Sequence, residues 1–86
     1  MKYFKDGEGL VYFGNRLRNL RKQRGLTQSE LAFLCGFGQN QITNIERGET
    51  NTSLSIIFLI ARRMDIPLRD LFDFELPPLP QSDQLQ

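Results

Sequence analysis

Gln39, Asn40, Thr43 and Asn44 stand close together in the run QNQITNIER, where side-chain amides outnumber every other polar group. A primary amide carries a donor and an acceptor side by side, spaced to match N6 and N7 of adenine in a major groove. Ile42 and Ile45 are the only large apolar residues between Gln39 and Arg47, and their spacing of three puts them on one helical face. At about 100° per residue, Asn40, Thr43, Asn44 and Arg47 point away from that face, with Gln39 exposed in the first turn. The inventory for covalent chemistry is thin. Histidine is absent and Cys35 is the single cysteine, which argues against a zinc site and a histidine-based acid–base mechanism. No nucleophile has a base beside it and no phosphate loop is present. No catalytic residue, metal or cofactor is therefore expected.

An amide face must be held by a second element. Thr27 is a candidate N-cap, and Glu30 three positions later completes a capping box. Leu31, Ala32, Leu34 and Cys35 follow as an apolar stripe at helical spacing. Gly36 can stop that helix with a positive φ, and Gly38 opens the next without a side chain to cap it. Residues 27–48 thus predict two short helices joined by a tight turn, a helix-turn-helix. Before them, Phe13, Leu17 and Leu20 predict a first helix ending at Gly25. After them, Thr52 or Ser53 caps a helix running to about Met64, and Pro67 starts a short fifth.

The segments TQSELA, with Gly36, the Ile42/Ile45 pair and IERG, resemble the lambda-repressor-like (Cro/CI, XRE) DNA-binding family. The similarity extends without a gap from about Phe13 to about Phe72. Departures are Gly38 for a frequent Ser or Thr, Thr52 for a frequent Pro and Asp65 for a frequent Gly. The resemblance implies an all-α, compact five-helix DNA-binding domain and gives roles to individual residues. Gln39, Asn40, Thr43 and Asn44 take the base-facing positions. Gln28 would hold a DNA phosphate; by their own positions Gln41, Arg47, Asn51 and Arg18 are further candidates for phosphate contact. Arg21 and Glu46 would form a structural ion pair between the first and third helices. Cys35 takes a position usually filled by Leu or Val, which implies a buried thiol.

Composition sets the frame. Eighty-six residues allow one small domain, 13–74, between an arm at 1–12 and a tail at 75–86. Gly7 and Gly9 point to a flexible or extended arm, whose Leu10 to Tyr12 would lie against the domain or a second subunit. FELPPLP favours an extended segment and QSDQLQ a disordered end. There is no apolar run long enough to span a membrane and no signal-peptide core, which fits a cytoplasmic protein. The net charge of +1 conceals an asymmetry: residues 14–48 carry six basic groups against two acidic, and residues 49–86 three against six. One face turned to phosphates would produce this division.

The fourth helix predicts a partner. Leu54, Ile57, Phe58, Ala61 and Met64 form its inner stripe, with Ile60 at the edge. Ile56, Leu59 and Arg63 share the opposite stripe, where two aliphatics in water would forgo about 1.5–3 kcal/mol each. A two-fold interface using Ile56, Leu59, Arg63, Leu68, Phe72 and Phe74 would cover them. The leading expectation is a dimeric, sequence-specific regulator of transcription, such as a repressor, on a palindromic double-stranded DNA site. The alternative is an antitoxin or adaptor whose C-terminal tail binds a protein partner.

Overall fold

The computed structural model describes residues 4–79, and those residues fold as five helices: α1 Gly7–Gln23, α2 Gln28–Cys35, α3 Gln39–Glu46, α4 Leu54–Met64 and α5 Leu68–Leu71. The ends of the expected arm (1–3) and tail (80–86) lie outside the described residues. α3 packs against α2 and α1, α2 also meets α4, and α5 closes the bundle against α1 and α4. Leu17, Leu31, Ile42, Ile45, Ile60 and Leu71 are the fully buried aliphatic side chains at their centre. Each contributes about 1.5–3 kcal/mol by leaving water. No described helix is long and apolar enough to cross a membrane.

The helix ends follow the local chemistry. Thr27 Oγ1 accepts from the Glu30 amide at 3.0 Å, and Glu30 Oε1 accepts from the Thr27 amide at 2.8 Å, completing the capping box. Gly36 closes α2 in the left-handed region, and Gly38 precedes α3 with no side-chain cap. Ser53, rather than Thr52, caps α4 by accepting from the Ile56 amide.

The arm is corrected over much of its length, because α1 begins at Gly7. Asp6 caps it by accepting from the Gly9 amide at 2.8 Å, and Glu8 adds a favourable charge in the first turn. Tertiary packing then holds the extra turns. Gly48, at φ 73°, lies so close to Val11 that an added Cβ would sit 2.7 Å from its backbone nitrogen. Tyr12 stacks on Phe74 with ring centroids 6.0 Å apart, so Tyr12 lies against the chain's own domain. Residues 75–79 continue without regular structure.

The inner stripe of α4 is also corrected. Ile57, Ile60, Ala61 and Met64 are buried, whereas Leu54 is 64% and Phe58 42% exposed. The true inward face is rotated from the expected one toward Ile60. Ile56 and Leu59 are half-buried against the core. In α2, Leu31, Ala32 and Cys35 face inward and Leu34 is exposed. Pro67 precedes α5 as its N-cap instead of occupying its first turn.

Two backbone positions give a measurable pair of effects. A Cβ on Gly14 would lie 2.4 Å from the Glu46 carbonyl oxygen and 2.5 Å from that of Ile45, where neither backbone can yield cheaply. Gly14→Ala should therefore cost about 1–3 kcal/mol or more. Asp65 ends α4 at φ 56°, a left-handed conformation for a non-glycine residue, and places a carboxylate at the helix's negative end. Asp65→Gly should raise stability by about 0.5–1 kcal/mol. Urea unfolding of both variants checks the pair. Equal midpoints for Gly14→Ala and the parent would contradict the close crossing of α1 and α3.

Candidate nucleic-acid interface

The site is built around one buried carboxylate. Glu46, the last residue of α3, is 1% exposed. Arg21 of α1 meets it through two parallel bonds, Nε to Oε2 at 2.6 Å and Nη2 to Oε1 at 3.0 Å. The remaining Nη1 donates to the Leu26 carbonyl at 2.8 Å, in the turn leading to α2. The hydrogen bonds to Glu46 hold Arg21 protonated, raising its pKa above the ordinary arginine value against the cost of burial. No buried side-chain polar atom among the described residues lacks a partner.

Gln28, at the first position of α2, extends this pair toward α3. Its Nε2 donates to Glu46 Oε1 at 2.9 Å. Its Oε1 accepts from Thr43 Oγ1 at 2.9 Å and, at a longer 3.4 Å, from Gln39 Nε2. Gln39 Oε1 in turn lies 3.4 Å from Ser29 Oγ. The network from Glu46 through Gln28 to Thr43 was not legible in the sequence, where Gln28 was expected to hold a DNA phosphate.

Ile42 and Ile45 are buried, while Gln39, Asn40 and Asn44 are exposed on the other side of α3, with Thr43 and Gln41 half-buried between. Arg47, the C-cap of α3, is exposed. The Arg18 side chain is 43% exposed, with its Nε 3.8 Å from Glu46 Oε1 at the edge of the buried pair. Asn51 is exposed and borders an apolar hollow lined by Leu10, Phe13, Ile57 and Phe72.

The basic half of the chain is less free than its charge count suggests. Arg16 Nε donates to the Asp70 carbonyl at 2.7 Å and its Nη2 lies 3.7 Å from Asp73. Arg24 Nη1 donates to the Met64 carbonyl at 2.9 Å, satisfying the C-terminal end of α4. With Arg21 on Glu46, these side chains hold helices together. Lys22 and Arg47 are left to face solvent, and the half-exposed Arg18 is shared between solvent and Glu46. Burial pushes the Cys35 thiol up in pKa, with nearby Arg63 opposing the shift. Among the described residues there is no group of three or more His, Cys, Asp or Glu side chains placed to hold a metal.

This geometry has counterparts. The helix-turn-helix family HTH_3 matches residues 17–71, and the chain belongs to that family, of Cro/CI/XRE type. Control protein C.BamHI of Bacillus amyloliquefaciens is 36% identical over 65 residues, covering 74% of this chain and 80% of that protein. The crystal structure of the restriction-modification controller protein C.AhdI from Aeromonas hydrophila superposes with a TM-score of 0.72 at 47% identity. That match covers 74% of this chain and 97% of the other. The biofilm regulator SinR, solved in complex with DNA, superposes with a TM-score of 0.65 at 31% identity over 71% of this chain and 98% of its own.

The buried pair can be tested directly. Arg21→Met or Glu46→Met alone strands a buried charge and should cost about 3–5 kcal/mol. The double variant should recover part of that loss, since neither charge is then left without its partner. Thermal melts of the four proteins measure the coupling. A double variant whose loss equals the sum of the single losses would show that the two residues do not interact.

Proposed function

We propose that this helix-turn-helix transcriptional regulator works as a dimer on a two-fold symmetric DNA site, with α3 in the major groove of each half. The observation that carries the reading is the exposed trio Gln39, Asn40 and Asn44, opposite the buried Ile42 and Ile45. Such a face is uncharged at its centre and flanked by Arg47 and Arg18, which suits base edges within and phosphates at the rim. Gln28 keeps one N–H beyond the bond to Glu46, and that proton is available to a phosphate. Gln41 and Asn51 supply further neutral donors. A protein acting on cellular DNA in this way would work in the cytoplasm.

Selection from a random DNA pool tests the assignment. Asn40→Ala and Asn44→Ala should each cost about 1–3 kcal/mol on the selected site and relax the choice at one base pair. Arg47→Ala should weaken selected and unrelated sequences alike and lower the salt slope by about 1. Unchanged base preferences in both Asn variants would remove α3 from the groove.

In this reading the second subunit packs on α4 and α5. Leu54, Phe58, Leu68 and Phe72 are 64%, 42%, 38% and 42% exposed, and Phe58 and Leu68 line one groove. Leu54 stands one helical turn before Phe58, and Phe72 one turn after Leu68. Ile56, Leu59 and Phe74 are already partly covered by their own chain, so they border this centre, with exposed Arg63 at the rim. Leu54→Glu with Phe58→Glu should yield a helical monomer in sedimentation and loosen binding to a full two-half site at least tenfold, by loss of the second half-site. A dimer of unchanged dissociation constant would move the interface to another face.

A further inference from the structure

Thr43 stands where a hydroxyl could either give or accept a hydrogen bond to a base, and the side chains behind it remove that choice. Both oxygens of Glu46 accept from Arg21, so the carboxylate meets Gln28 as an acceptor. The Gln28 atom facing it at 2.9 Å must therefore be the amide nitrogen. The amide oxygen is then turned toward α3. An oxygen there can only accept, and Thr43 Oγ1 lies 2.9 Å away with the single proton that a hydroxyl owns. That proton is committed inward, and what Thr43 keeps for a ligand is lone pairs and a methyl group.

We infer that the Glu46–Gln28 bond makes Thr43 a specificity-determining acceptor, selecting on the strand it faces a base that presents an amino group, adenine or cytosine, over guanine or thymine. The inference rests on the proposal that α3 enters the major groove. Adenine N6 and cytosine N4 are the exocyclic donors there, whereas guanine O6 and thymine O4 are acceptors that would face a lone pair across the interface. Gln39 shares the same Gln28 oxygen only at 3.4 Å from an exposed position, and it can swing away to meet DNA. The half-buried Thr43 bond is the shorter one and has less freedom. Gln28 acts here as a positioning residue, reaching the base through Thr43.

The test is a complete base-preference measurement on selected DNA for the parent, Thr43→Val, Thr43→Ser and Gln28→Leu. The parent should show one half-site base pair whose preference depends on the exocyclic amino group of its adenine or cytosine. Thr43→Val should lose that preference by about three- to tenfold, the worth of one hydrogen bond. Thr43→Ser, which keeps the hydroxyl, should retain it. Gln28→Leu frees the Thr43 proton and should relax the same position while other positions hold their preferences. Thr43→Val keeps the methyl contacts and touches neither Arg21 nor Glu46, so the outcome does not depend on whether Gln28→Leu folds. The inference is overturned if Thr43→Val shifts no position, or if removing the exocyclic amino group at the shifted base pair (purine for adenine, 2-pyrimidinone for cytosine) leaves the parent's binding unchanged. It is equally overturned if folded Gln28→Leu weakens all sequences by one factor, which would leave Gln28 a phosphate contact alone. A parent with no preference at any position would overturn the groove assignment itself and this inference with it.

Discussion

Three helices converge on the carboxylate of Glu46. It ends α3, accepts two bonds from Arg21 of α1 and takes a third from Gln28 of α2. Burying two charges costs several kcal/mol per ion before their attraction offsets it, and well-packed apolar residues could give equal or greater stability. Apolar residues would not, however, dictate how Gln28 is turned. Ile42 and Ile45 set which face of α3 turns inward, and the pair ties the end of that helix to α1, so the outward side chains are held in place. Position and chemistry of the face are thus set from behind it.

Much of this was legible in the sequence, for physical reasons that differ between elements. The capping box at Thr27 and Glu30 and the stop at Gly36 are local chemistry, and local chemistry reads well. α3 was legible because it carries only two large apolar residues, leaving one possible inward face. α4 is the opposite case. LSIIFLIARRM has aliphatic or aromatic residues around most of its circumference, so two stripes fit the periodicity and the correct one is chosen only by neighbouring helices. The first turns of α1 were obscured by Gly7 and Gly9, whose low propensity is overridden by the Asp6 cap and the contact of Val11 with Gly48. The Gln28–Thr43 bond could not be read at all. It depends on the direction of an amide, which depends on a carboxylate eighteen positions away.

Charge counting needed the same correction. Residues 14–48 are basic by composition, yet Arg16, Arg21 and Arg24 are occupied by the Asp70 carbonyl, Glu46 and the Met64 carbonyl. A guanidinium can present several donors in a rigid fork, which makes it as useful for tying backbone carbonyls as for holding phosphates. The field presented to a polyanion comes from the fewer cations left in solvent, and salt-dependent association follows that smaller number.

The two carbonyl ties have a bearing on the order of assembly. Arg16 bonds across 54 positions of sequence and Arg24 across 40, whereas α2 and α3 meet through a turn of only three residues. Closing a long loop consumes chain entropy before any contact offsets it, so the α2–α3 hairpin has the advantage of proximity during collapse. α5, four residues long and anchored through the distant Arg16, has little independent stability. Fraying would accordingly start at the C-terminal closure, with amide exchange fastest there and slowest where α2 and α3 pack together.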